Sequence, residues 1–110
     1  MKDGDSNMKQ PQGLIEVLLD ATAPEADRDD AAMDLAAYDD SEVEDALIRV
    51  GVEPSAPGAV AASCGESLAE IWLRRGKMNL AALKRLRREA RNEALALIRS
   101  REPSWTANFQ

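Results

Sequence analysis

Histidine is absent from this chain of 110 residues, and cysteine occurs only once, at Cys64. A chain without histidine cannot build a histidine-based catalytic triad or a histidine metal site, and it lacks the commonest general acid–base group. A single cysteine cannot form an internal disulfide bond, which is typical of proteins in a reducing compartment. Because Cys64 lies on the apolar stripe of a predicted helix, we expect a buried, inert thiol. These absences argue against an enzyme and against a bound cofactor.

Long apolar runs are also missing, and aromatic residues are few. No run approaches the roughly 20 apolar residues that cross a bilayer, and the first residues do not form a signal peptide. The sequence therefore predicts a cytoplasmic protein with no membrane partner. Of the aromatic residues, Trp72 is expected in the core. Trp105 and Phe109 either fold back over the last helices or serve as anchors for a partner.

Residues that favour helices dominate the composition, and Ala, Leu, Arg and Glu lead it. We expect an all-α domain of about five helices stacked as antiparallel pairs. The chain is divided into a flexible lead over 1–12, a single helical domain over 13–102 and a C-terminal tail over 103–110. Apolar spacing and helix breakers place the helices at 13–22, 27–39, 41–51, 59–75 and 79–101.

Local end signals support these helix boundaries. Asp27 and Asn79 are suited to the N-cap position, where a side-chain oxygen accepts a bond from a free backbone N–H. Ser41 followed by Glu44 has the spacing of a capping box. Gly76 suits the left-handed residue that often follows the last turn of a helix.

The charge of the chain is strongly asymmetric. Residues 1–70 hold 17 acidic and four basic residues, a net charge of −13, whereas residues 71–110 hold ten basic and three acidic residues, a net charge of +7. Like charges gathered on one part of a small domain weaken the fold, and their usual role is to steer a charged partner. The asymmetry therefore favours a binding protein.

Acidic residues of the second and third predicted helices, with one Glu of the fourth, are the candidate partner-binding residues. A carboxylate patch can meet a basic protein surface, such as the nucleic-acid cleft of a nuclease, at places that phosphates would take. The alternative is a solvated face with helix caps. The spacing fits no calcium loop, so no metal site is predicted. The candidates are Asp27, Asp30, Asp34, Asp39, Asp40, Glu42 and Glu66.

The basic residues between Arg74 and Arg91 form the opposite patch. They could bind phosphates, but no aromatic residues lie among them to stack on bases, so nucleic acid is an improbable partner. A solvated helix face is the simpler interpretation. A third alternative is that this patch docks on the acidic face of a second copy and gives a homodimer.

Two segments show similar patterns at an offset of 33 residues. One runs Asp27-Arg-Asp-Asp-Ala-Ala-Met-Asp-Leu-Ala-Ala-Tyr38, and the other runs Ser63-Cys-Gly-Glu-Ser-Leu-Ala-Glu-Ile-Trp72. A period of this size is typical of stacked helical repeats. The chain resembles the HEAT-like helical-repeat family over roughly residues 14–100, which implies an αα-superhelix. Small acidic proteins of this type are similar to bacterial immunity proteins, which bind and neutralise a toxin.

These observations lead to a functional hypothesis. The chain is expected to be an immunity protein that blocks a bacterial toxin, most simply a basic nuclease, through its acidic surface. The alternative is a HEAT-like protein-binding adaptor, or a homodimer docked through opposite charges, without a toxin partner.

Overall fold

The computed structural model describes residues 9–107, and this part of the chain folds into six α-helices and two short 3-10 helices without a strand. The predicted all-α class is confirmed. A 3-10 turn over Leu35–Ala37 extends α2, and a second, over Pro103–Thr106, follows α6. The α-helices are α1 (Gln12–Leu19), α2 (Glu25–Asp34), α3 (Ser41–Gly51), α4 (Gly58–Arg75), α5 (Leu80–Arg85) and α6 (Arg88–Arg101).

Helices α2, α4 and α6 run in the same direction, with α4 packed between the other two. The hydroxyl of Ser67 donates a 2.7 Å hydrogen bond to the Ala32 carbonyl, so α2 and α4 are neighbours at an offset of 35 residues. Arg101, at the C-terminal end of α6, bonds to Glu70 of α4, so the two helices lie side by side there. α4 makes its most extensive contacts with α6, and it also packs on α3 and α2.

Helices α3 and α5 run in the opposite direction. Glu44, near the start of α3, accepts a bond from Trp72 at the end of α4, whereas Gly51 at the end of α3 faces Cys64 in the middle of α4. A Cβ on Gly51 would also meet Leu86, the residue that follows α5. The α-helices from α2 to α6 therefore alternate in direction along the chain.

The predicted single helix over 79–101 is wrong. The chain leaves helical geometry at Leu86, where ψ is 142°, and α6 begins at Arg88 after the chain has changed direction. Leu86 is 1% exposed, and the Arg87 N–H donates to the Gly51 carbonyl at 3.0 Å. Burial of Leu86 against α3 and this tertiary hydrogen bond outweigh the helix propensity of the surrounding residues.

Two of the predicted helix ends are confirmed and two are wrong. The Asn79 side chain accepts from the Ala82 N–H at 3.0 Å, and Gly76 adopts a φ of 81°. Asp27, in contrast, lies inside the first turn of α2, which begins at Glu25. Asp40 is the N-cap of α3, so Ser41 lies one position too far into the helix to cap it, and Glu44 bonds to α4 instead.

The hydrophobic core is centred on α4. Trp72 and Cys64 are both completely buried, as predicted, and burial raises the pKa of the Cys64 thiol to about 12. Gly65 is the point of closest approach to α6, because a Cβ there would lie 1.9 Å from the Ala90 carbonyl oxygen. Only glycine lets the two helix backbones come this close.

The ends of the predicted domain are described in part. Residues 1–8 and 108–110 lie outside the described residues, so most of the predicted lead, and Phe109, fall there. Pro11 is buried just before α1, and the Gln10 side chain accepts a 3.0 Å bond from the Leu14 N–H. At the other end, Trp105 packs partly buried against the core, and Thr106 is buried.

Candidate protein-binding surface

All seven predicted partner-binding carboxylates are exposed, but they do not form one continuous patch. One group lies on α2 and α4 and includes Asp30, Asp34 and Glu66. Asp27 precedes this group by one turn of α2. A second group, Asp39, Asp40 and Glu42, lies where the chain passes from α2 to α3.

Among residues 9–107, the two oppositely charged parts of the sequence pair with each other at three places. Arg74 donates to Asp39, with 3.1 Å between Nε and Oδ1. Arg75 donates to both oxygens of Glu44 at 3.0 and 3.2 Å, and Arg101 pairs with Glu70 at 3.2 Å. The charge asymmetry of the sequence is therefore partly neutralised by folding, and the carboxylates without such a partner carry the local negative potential.

A groove of about 440 Å³ separates α2 from α4. Asp34 lies on the α2 side and Glu66 on the α4 side, and Glu70 and Arg74 line the groove further along α4. Met33 also lines this groove, from α2, and is 50% exposed. Most other large apolar side chains of residues 9–107 are buried or partly buried. An exposed methionine is a flexible, polarizable contact that adapts to a partner surface.

A second groove, of about 250 Å³, lies on the other side of Glu66, between α4 and α6. Glu93 and Leu97 line it from α6. Glu66 thus belongs to both grooves and lies at the centre of the layer formed by α2, α4 and α6. We define the acidic face as four exposed carboxylates of these helices together with the exposed methionine of α2: Asp30, Met33, Asp34, Glu66 and Glu93.

The four carboxylates of the acidic face make no hydrogen bond or ion pair with any residue in the range 9–107. Exposed carboxylates without counter-ions create a negative potential that attracts cations over a Debye length, about 10 Å at 0.1 M salt. The acidic face thus combines unpaired negative charge, two shallow grooves and one exposed apolar side chain.

Sequence reasoning missed Met33 and Glu93. Met33 lies next to Asp34, and helical spacing indicates that both lie on the outer side of α2, so a signal was present. Glu93 carried no such signal. Its position next to Glu66 depends on α6 running beside α4, whereas the sequence predicts one continuous helix over 79–101.

Glu44 is a further residue whose role differs from its prediction. Its Oε2 accepts a 2.7 Å hydrogen bond from the buried Trp72 indole, and Arg75 bonds to both of its oxygens. The hydrogen bond from Arg75 is the main cause that lowers the pKa of Glu44, and the bond from Trp72 adds to it, while burial opposes both. Glu44 therefore stays ionised and joins α3 to the end of α4.

Part of the basic stretch between Arg74 and Arg91 is engaged within the chain. Arg87 donates to the carbonyls of the α3–α4 loop, with a 2.7 Å bond to Ala56, and it pairs with Glu89. This pairing lowers the pKa of Glu89 to about 2. Arg91 donates to the Leu86 carbonyl at 2.7 Å. Several of these arginines thus stabilise loops and helix ends.

Across residues 9–107, no three side chains of Asp, Glu, Cys or His are grouped so that they could hold a metal ion. In the same range, no helix is both long enough and apolar enough to cross a membrane.

Comparison with known proteins gives no relative for this chain: no family model, no curated protein and no solved structure matches it. Its function therefore has to be inferred from its own residues.

Proposed function

We propose that this protein binds a basic protein partner through the acidic face. The observation that carries the proposal is the placement of Asp34 and Glu66 on opposite sides of a groove that exposes Met33. A cationic side chain lying in this groove would meet carboxylates at both walls. The aliphatic part of a Lys or Arg side chain would pack on the Met33 thioether, because such side chains combine an apolar stem with a charged end.

The concrete form of the proposal is an immunity protein that neutralises a bacterial toxin, most simply a basic nuclease. A nuclease must present positive charge to the phosphates of its substrate, and an acidic surface can cover that charge. This form depends on the HEAT-like resemblance of the sequence, which is carried by the two segments 33 residues apart. In this form the protein acts in the cytoplasm, where the nuclease would reach nucleic acid.

The test uses three forms of the full chain as baits in a lysate of the source organism. The first is the wild type. The second reverses the acidic face with Asp30→Lys, Asp34→Lys and Glu66→Lys. The third is a matched control, Glu16→Lys, Asp45→Lys and Glu102→Lys, which changes the net charge equally at exposed positions elsewhere.

The proposal predicts a basic protein that is captured by the wild type and the control but not by the acidic-face variant. If that protein is a nuclease, adding the wild type should inhibit its activity and adding the acidic-face variant should not. Capture of the same partners by all three baits would contradict binding through the acidic face. Capture of a non-toxin partner by the wild type and the control would favour the adaptor alternative.

A further inference from the structure

Arg28 on α2 is the most deeply buried basic side chain among the described residues, with 7% of its surface exposed. A buried guanidinium stays charged, so burial is costly unless its donors find acceptors. Its Nε donates a 3.0 Å hydrogen bond to the Leu18 carbonyl, near the end of α1. No acceptor among residues 9–107 bonds to its two terminal nitrogens. Most of the donor capacity of this buried cation is thus unused.

Arg28 lines a groove of about 380 Å³, which lies within the range of about 300–1,000 Å³ that is typical of small-molecule sites. The groove lies between the α1–α2 loop and the α3–α4 loop. Leu19, Val50 and Ala56 give it apolar walls, and Arg49 adds a second cation from α3. This groove lies apart from the acidic face and shares no lining residue with either of its grooves.

Acidic residues near the groove limit the charge of a ligand. Glu25 and Glu53 line it together with the two arginines, so its lining has no net formal charge. The Glu53 carboxylate is turned toward its own loop, where it accepts from the Ser55 hydroxyl at 2.8 Å and from the Ser55 N–H at 3.3 Å. A second negative charge on a ligand would be repelled by both glutamates without gaining a further bond to Arg28, so the lining favours a monoanion.

We propose that this groove binds a monocarboxylate with a small apolar body. The two carboxylate oxygens accept bonds from the terminal nitrogens of Arg28, because the guanidinium fork matches the geometry of a carboxylate. Arg49 adds a longer-range attraction, and the apolar body packs on Leu19, Val50 and Ala56. The carboxylate belongs either to a free organic acid or to the C-terminus of a peptide, and the experiment below separates these sources.

The experiment is an NMR titration of the full chain labelled with ¹⁵N, which follows the Arg28 Nε–H and the backbone amides of Ala23 and Ala56. The probes are 3-methylbutanoate, N-acetyl-alanyl-valine with a free carboxylate, the same dipeptide as its amide, and inorganic phosphate. We expect saturable shifts with a Kd of about 1 mM or below for at least one of the two carboxylates. We expect none for the amide or for phosphate.

Three variants complete the test. Arg28→Lys keeps the charge but loses the fork, and it should weaken binding about tenfold. The Arg28→Lys variant also loses the bond to Leu18, so weaker binding could reflect a change in the fold. Arg49→Gln changes an exposed position instead and should weaken binding about threefold. Arg99→Gln, a distant exposed arginine, is the control and should bind as the wild type does.

The source of the carboxylate follows from which probe binds. Saturation by 3-methylbutanoate alone identifies a free acid, and saturation by the dipeptide alone identifies a peptide C-terminus. The proposal is overturned if neither carboxylate gives saturable shifts, if the amide or phosphate binds as well as the acids, or if Arg49→Gln binds as tightly as Arg99→Gln.

Discussion

At the scale of single residues, Gly65 and Glu44 show how the fold constrains individual positions. Gly65 is required because α4 and α6 approach each other closely at this position. Glu44 is required because it accepts hydrogen bonds from Trp72 and Arg75 at the end of α4. Neither requirement can be read from local sequence. Gly65 lies inside a predicted helix, where glycine is ordinarily unfavourable, and that mismatch is the only local sign of its packing role.

Replacing Gly65 with Ala should destabilise the protein strongly. The new Cβ would lie 1.9 Å from the Ala90 carbonyl oxygen, so the two helices would have to move apart. We expect the free energy of unfolding to fall by about 3 kcal/mol, as in severe overpacking. Urea denaturation followed by circular dichroism measures it.

Gly58→Ala is the matched control for this change. Its Cβ would meet Glu89 at an ordinary 3.6 Å, so the unfolding free energy should change by less than about 1 kcal/mol. Equal effects of the two substitutions would show that α4 and α6 do not cross at Gly65.

Glu44 should make stability depend on pH. Its pKa is lower in the folded state than the ordinary value of 4.5 for a glutamate, mainly because Arg75 donates to it. The folded state therefore binds fewer protons, and the stabilisation is complete above pH 4.5 and is lost as the pH falls through the folded pKa. Glu44→Gln, which cannot titrate, should lose less stability than the wild type between pH 7 and about pH 3.

Urea titrations at both pH values, read by the fluorescence of tryptophan, measure this difference. The substitution should also lower stability at pH 7 by about 1 kcal/mol, because the amide replaces an ion pair that also accepts the Trp72 bond. Identical losses on acidification in wild type and variant would contradict a role for Glu44 in the pH dependence.

At the scale of elements, the break between α5 and α6 decides the arrangement of the helices. Leu86 is buried and Arg87 bonds to Gly51 and to the α3–α4 loop, so the chain turns where propensity alone predicts a continuous helix. This turn places α6 beside α4, and it thereby brings Glu93 to the acidic face.

Leu86→Ala tests how much the burial of Leu86 at this turn contributes to the free energy of unfolding. Removing a buried leucine side chain should lower the free energy of unfolding by about 2–5 kcal/mol. Leu80→Ala, at the 43% exposed first residue of α5, should cost less than about 1 kcal/mol. Thermal and urea denaturation of both variants provide the comparison, and equal costs would mean that Leu86 does not hold the turn in place.

Elements that depend on interactions between neighbouring residues could be predicted from the sequence. Elements that depend on contacts between distant residues could not. Periodic apolar residues and local caps identified most helices, and Asn79 and Gly76 mark ends that the structure confirms. The break at Leu86 was not predictable, because its causes lie 35 residues away on α3. The capping box at Ser41 was wrong because α3 begins one residue earlier than that pattern requires, and because Glu44 bonds to α4 rather than to the start of its own helix.

The candidate surface was predictable only in part. Asp30, Asp34 and Glu66 are exposed as a docking site requires, and helical spacing was enough to indicate this. Asp39, from the same prediction, pairs with Arg74 within the chain. Charge counts along a sequence cannot show such pairings, because the pairings depend on which residues of neighbouring helices lie side by side.

At the scale of the whole molecule, folding pairs part of the acidic half of the chain with its basic half and leaves other carboxylates exposed. Arg74, Arg75 and Arg101 neutralise Asp39, Glu44 and Glu70, and α2, α4 and α6 present the acidic face in one layer. The buried cation Arg28 lies in a different groove. The two proposed sites can therefore be tested independently.

The most direct test of the central proposal is the salt dependence of partner binding. The Kd of the captured basic protein is measured by calorimetry for the wild type and the acidic-face variant at about 0.1 M and about 1 M salt, between which the Debye length falls from about 10 Å to about 3 Å. We expect wild-type binding to weaken at least about tenfold with added salt, and the variant to bind weakly at both concentrations. A wild-type Kd that is unchanged by salt, or a variant that binds as tightly as the wild type, would contradict docking through the acidic face.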